Sequence, residues 1–132
     1  MKYPLLSLAA GLLALSAGAE TLQVKPVMDE TARQCADAPG IRDTASPTAL
    51  CACVVGNMTD WVNASDGLER QKRLWMFQKD NLRKTVPQDE IYSRAAEAGI
   101  SRPALVAAEA KYYDTVERHF LACAELMQPA DG

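Results

Sequence analysis

Ser46-Pro47-Thr48-Ala49-Leu50-Cys51-Ala52-Cys53-Val54-Val55-Gly56-Asn57-Met58-Thr59-Asp60-Trp61-Val62-Asn63 is the stretch on which the fold turns. Serine followed by proline marks a helix start. The serine serves as N-cap, and the proline takes the first helical position, where its missing N–H has no acceptor anyway. From there Leu50, Cys51, Val54, Val55, Met58, Trp61 and Val62 recur at helical spacing and share one face. This predicts a helix over residues 47–63, stopped around Asn63-Ala64-Ser65-Asp66-Gly67. Cys51 points into the core with that stripe. Cys53 is turned about 200° away from it, so the two do not bond to each other within a helix. They reach different partners, and the remaining cysteines are Cys35 and Cys123. The expected pairing is Cys51–Cys123 with Cys35–Cys53; the swapped pairing is the alternative.

Working outward, residues 27–37 carry Val27, Met28, Thr31 and Cys35 at helical spacing. Pro39 to Ser46 reads as a loop punctuated by Pro, Gly and Asp. A third helix over residues 67–85 carries the stripe Leu68, Trp75, Leu82 and Val86. Pro87-Gln88-Asp89-Glu90 restarts a short helix to Glu97, closed by Gly99 as a C′ glycine. Ser101-Arg102-Pro103 opens the longest helix, residues 102–127, with the stripe Leu105, Ala108, Tyr112, Val116, His119, Cys123 and Leu126. No segment shows a convincing alternation of apolar and polar residues, so no sheet is expected. The fold class is all-α: a compact bundle of about five helices stapled by two disulfides.

The N-terminus reads as an export signal. Met1-Lys2 leads into the short apolar run Pro4 to Leu15, and Ala17-Gly18-Ala19 follows in the small-x-small pattern of a signal-peptidase site. That run is too short to span a bilayer, which takes about 20 apolar residues. Residues 1–19 are therefore expected to be a cleaved signal peptide, and residues 20–132 a single helical domain. No cysteine follows the cleavage site, so no lipid anchor is expected there, nor stable membrane insertion after cleavage. An even number of cysteines in an exported chain reads as a disulfide framework, in the periplasm or secreted. The chain has 14 basic and 17 acidic side chains, and losing Lys2 with the leader adds one more negative charge. No basic excess points to a nucleic-acid partner.

Candidate chemistry is sparse. Cys51-Ala52-Cys53 is a closely spaced thiol pair near a helix start, where the local positive potential lowers a thiol pKa. Redox pairs, however, are usually C-x-x-C after a strand, and neither that spacing nor a strand is here. Two structural half-cystines bonded in different directions is the plainer reading. Cysteines, His119 and the methionines are soft ligands suited to copper or zinc, and His119 and Cys123 lie four apart on one helix face. An oxidising compartment would consume those thiols. Acid–base and triad chemistry commonly needs a histidine, and His119 lies on an apparent core stripe. No glycine loop cradles phosphate, and the pairs Asp29-Glu30 and Asp89-Glu90 fit macrodipole compensation in a first helical turn. No catalytic residue, metal ligand or cofactor is assigned.

One feature points to a binding surface. On the third helix Arg70, Lys72, Arg73, Lys79, Arg83 and Lys84 outnumber Glu69 and Asp80. Phe77 falls roughly opposite Trp75 and Leu82, on the side shared by Arg70, Arg73 and Lys84. A ring among cations on an outer face suits an anionic, partly apolar partner. The alternative is that another helix covers Phe77 and the charges form a solvated face. The expectation is an exported accessory module that binds another protein. A thiol–disulfide helper using the C-x-C pair is the alternative, and a soft-metal carrier the second.

The frame Cys35, Leu50-Cys51-Ala52-Cys53-Val54 and Cys123 resembles that of small exported bacterial helical proteins with a C…C-x-C…C arrangement. The resemblance covers most of the chain after the leader. It implies export to the periplasm and a helical scaffold, and brings no activity or substrate with it. The basic third helix and Trp75-Met76-Phe77 are not part of that frame.

Overall fold

A computed structural model describes residues 21–130; the expected signal peptide, residues 1–19, lies outside them. The described residues form helices α1 Val24–Asp37, α2 Pro39–Arg42, α3 Pro47–Asn63, α4 Gly67–Leu82, α5 Gln88–Glu97 and α6 Arg102–Leu121. A 3₁₀ turn, Ala124–Leu126, follows α6. The architecture is all-α. Pairing of extended backbone among the described residues is confined to one isolated antiparallel bridge, Thr44 with Pro129.

The expected helix α3 is found with the expected ends, Pro47 in its first turn and Ser46 at the N-cap position, where the serine side chain makes no capping hydrogen bond. Helix α1 starts earlier than its apolar spacing suggests. Pro26 falls in its first turn, where proline costs no helical hydrogen bond. The loop expected over residues 39–46 contains the single turn α2, started by Pro39. Helix α4 ends at Leu82, short of the expected 85. Thr85 and Val86 both turn back to donate to the Leu82 carbonyl, and the residue before Pro87 is steered away from helical dihedrals. Helix α5 ends as expected: Gly99 has φ +89°, and Gly99 and Ile100 donate to the carbonyls of Ala96 and Ala95. This is the double hydrogen bond of a Schellman cap, and it drives Ile100 into the core at 1 % exposure. Helix α6 stops at Leu121, six residues early, and Cys123 and Leu126 continue in tighter turns.

The core gathers one face from each long helix. Leu50, Val54, Val62, Leu74, Ala95 and Leu105 are fully buried, with Trp75, Phe77 and Ile91 almost so. Polar contacts set the register. Gln71 and the Leu22 backbone exchange two hydrogen bonds. Further along both chains, Asn81 donates to the Val27 carbonyl and to Thr31 Oγ1. These pairs run in the same direction along both chains, so α1 lies parallel to α4. Tyr112 donates to Asp80 Oδ2 at 2.7 Å, tying α6 to α4.

The disulfides follow the swapped pairing: Cys35–Cys51 and Cys53–Cys123. The expected Cys51–Cys123 and Cys35–Cys53 are therefore corrected. The core face of α3, which carries Cys51, lies against α1, and the α2 turn brings the end of α1 back to the start of α3. Cys53, on the other side of α3, meets the chain just past α6. Both bridges join Cα atoms about 6 Å apart, at 5.9 and 6.2 Å.

The bridges close loops of very different length, 16 and 70 residues of sequence separation. Loop-closure entropy then assigns about 3 kcal/mol to Cys35–Cys51 and about 4 kcal/mol to Cys53–Cys123. Urea unfolding of the Cys35→Ala/Cys51→Ala and Cys53→Ala/Cys123→Ala double variants should show the second pair as the larger loss. The reverse order would mean that local packing, and not chain entropy, sets what each bridge contributes.

Candidate functional site

The expected binding surface on the third helix, α4, does not survive as one patch. Arg70 turns back to the end of α3, donating from Nε to the Ser65 carbonyl at 2.8 Å and from Nη2 to the Asn63 carbonyl at 3.4 Å. It serves the orphan carbonyls of a helix C-terminus. Arg73 donates to the Trp61 carbonyl at 2.5 Å and stacks over the Trp61 ring at 4.5 Å. Phe77 is 1 % exposed. Its ring meets Trp61 and Tyr112 edge-on, at centroid distances of 6.1 and 5.2 Å, a favoured aromatic geometry. Phe77 is thus a core residue, because α3 and α6 cover the side of α4 that was expected to face solvent. Lys84 alone of the four stays exposed, just beyond the end of α4.

Phe77 and Lys84 nevertheless meet at a groove. Between α1–α2 on one side and α6 on the other lies an open channel of about 300 Å³. Its floor is Val54, Val55 and Met58 of α3 with Phe77 of α4; Tyr112, Val116 and Phe120 of α6 form one wall. Cys35, Ala38 and Ile41 form the other wall, while Asp80, Arg83 and Lys84 stand at the α4 end. Tyr112 and Val116 were legible as a stripe on the last helix, but the stripe predicts burial and not that part of it borders a channel. The Tyr112 phenol is pushed well above its ordinary range, first by burial and then by the Asp80 carboxylate it donates to. It stays a neutral hydrogen-bond donor.

A second surface lies on the outward side of α6. Val106, Tyr113 and Leu121 are 50, 59 and 62 % exposed. Their spacing of seven and eight residues places them on one face, with Ala110 and Glu117 between them. Lone exposed apolar side chains are normal on any surface; three aligned along one helix are a patch.

The cysteines offer no thiol among the described residues, since all are bridged. Cys51 and Cys123 are each 3 % exposed, and Asn57 Nδ2 lies 3.4 Å from Cys123 Sγ. His119 and Cys123, the pair considered for a soft metal, are divided by this chemistry: Cys123 is bonded to Cys53, and His119 packs edge-on against Trp61 at 6.4 Å. Among the described residues no three His, Cys, Asp or Glu side chains cluster as a metal site would require. Of the carboxylate pairs, Asp89 and Glu90 do lie in the first turn of α5. Asp29 and Glu30 sit a turn deeper in α1, pairing with Lys25 and Arg33.

Lys79 is a largely covered charge. Burial disfavours its ammonium, yet hydrogen bonds to Glu109 and Tyr92 outweigh that and hold its pKa above the usual value. This pair pins α4 to α6, with side chains only 16 and 28 % exposed.

No protein-family model, curated protein or solved structure matches this chain.

His119 Nε2 is buried without a hydrogen-bond partner, and burial, followed by the Arg118 charge, lowers its pKa. A histidine with a depressed folded-state pKa contributes stability above its unfolded value of about 6.5, and that stability is lost as pH falls below it. Denaturant midpoints should therefore fall between about pH 7 and pH 5, and the His119→Phe variant should show a flatter profile. An identical slope in both proteins would assign the pH dependence to the carboxylates.

Proposed function

We propose that this chain is an exported, non-catalytic helical module, periplasmic or secreted, whose partner is another protein. The observation that carries the reading is the α6 face, where Val106, Tyr113 and Leu121 stand half exposed or more. Large apolar and aromatic side chains aligned on a rigid helix act as anchors in protein interfaces. Two bridges support rigidity, one fastening α1 to α3 and the other fastening the end of α6 to α3. A preorganised face loses less freedom on binding. The partner surface thus moves from α4, where Arg70, Arg73 and Lys79 are spent on internal contacts, to α6. No helix among the described residues is long and apolar enough to cross a membrane, which agrees with a module that meets its partner outside the bilayer.

A thiol-exchange role needs an accessible, reducible pair, and the burial of Cys51 and Cys123 speaks for structural bridges. Titration of the purified protein against glutathione buffers separates the two. Bridges that persist to potentials below about −300 mV fit a scaffold; reduction between about −120 and −230 mV would place the chain among thiol-exchange proteins. The interface itself is tested by Tyr113→Glu and Leu121→Glu. Both positions are exposed, so stability should change by less than about 0.5 kcal/mol, while a partner captured by the unaltered protein should be lost. Capture undiminished by both changes would remove α6 as the interface. N-terminal sequencing of protein recovered outside the cytoplasm should begin at Glu20; recovery only from the cytoplasm would end the export reading.

A further inference from the structure

We infer that the groove between α1–α2 and α6 is a binding site for a medium-chain acyl carboxylate, its tail against Ile41, Val116 and Phe120 above the buried floor and its head at Arg83 and Lys84. The floor is apolar throughout, built from Val54, Val55, Met58 and Phe77. Its upper walls include the incompletely covered Ile41, Val116 and Phe120, which a hydrocarbon tail would remove from water. Charge is confined to the α4 end. There Asp80 accepts from Tyr112 at 2.7 Å and lies 4.0 Å from Arg83. Lys84, fully outside the helix and exposed, has no ion-pair partner among the described residues. The groove therefore presents a one-ended cationic rim over an apolar channel, the complement of a molecule with one anionic end and an apolar body.

The walls also say what the body lacks. They are helices, whose backbone N–H and C=O groups are turned inward on one another, and they offer no edge for an extended peptide to pair with. The polar side chains at the rim are engaged: Gln34 with the Asn81 carbonyl and Asn81 with Val27 and Thr31. A body without polar groups needs none of them. A volume of about 300 Å³ lies at the small end of ligand pockets, which suits a single tail better than a packed helix. This site goes beyond the α6 interface and shares no residue with it.

The test is a titration of the oxidised, isotope-labelled protein, followed by amide chemical shifts. The probes are hexanoate, octanoate and decanoate, each below micelle-forming concentration, with decanol as the uncharged control. Saturable shifts should centre on Ile41, Val116 and Phe120. Affinity should rise about fourfold per added methylene until the groove is filled, and decanol should bind at least tenfold more weakly than decanoate. The Arg83→Gln/Lys84→Gln variant alters only exposed positions and should keep its helicity by circular dichroism. It should reduce decanoate binding to the level of decanol. Absence of saturable shifts, equal binding of decanol and decanoate, shifts centred elsewhere, or a variant that binds decanoate unchanged would each overturn the site. The Leu121→Glu protein, altered at an exposed position away from the groove, should bind decanoate normally, so failure of the α6 interface and failure of the groove read out separately.

Discussion

Two sulfurs separated by one alanine on α3 point about 200° apart around the helix axis, and each holds a different part of the chain. Cys51 faces the core and binds the end of α1; Cys53 faces away and binds the segment just past α6. Helix α3 is thereby gripped on opposite sides. The remaining helices dock against this clamped element: α1 lies on α3 and, through Asn81 and Gln71, on α4, while α6 reaches α4 through Tyr112 and Lys79. A chain of this length buries a modest core. Fixing the outer helices covalently to the central one lets them leave a channel between them without the bundle losing its register.

Much of this arrangement is readable in the residues. Ser46-Pro47 and the stripe Leu50 to Val62 locate α3 to the residue, and Gly99 marks the end of α5, because caps and turns depend on local chemistry. The same locality explains the misses. Counting apolar spacing continues α6 through Leu126, since Cys123 and Leu126 keep the stripe even where the backbone has tightened into turns. Opposite aim on α3 excluded a bond between Cys51 and Cys53, but choosing between the two remaining pairings required knowing which neighbour covers the core face. That is tertiary information. Periodicity states that a face is buried and is silent about what buries it.

Phe77 shows the limit most directly. On α4 alone it lies opposite Trp75 and Leu82 and among cations, which is the pattern of an outward ring. Helix α4 in fact has neighbours on both flanks, so Leu74, Trp75, Met76 and Phe77 are all buried. A run of four consecutive buried residues is the mark of a helix enclosed on most of its circumference. The cations beside it then find local tasks: Arg70 answers the carbonyls ending α3, and Arg73 lies over Trp61. What is left for solvent is displaced to the α4 terminus and to the far side of α6.

The spacing of the cysteines also sets an order of events. If the chain is exported N-terminus first, as proposed, Cys35, Cys51 and Cys53 meet an oxidant long before Cys123, which lies 70 residues beyond its partner. During that interval Cys53 is a bachelor thiol beside a bridge that can already be complete. Its safety from wrong exchange rests on α3 having wound, since only the wound helix turns Cys53 away from Cys35. The segment just past α6 then becomes a closing element among the described residues. Past Cys123, Ala45 and Ala130 donate across to the Gln128 and Asp43 carbonyls and hold that segment beside the start of α3. A chain cut short after α6 would keep most of its core and still be left reactive at its centre.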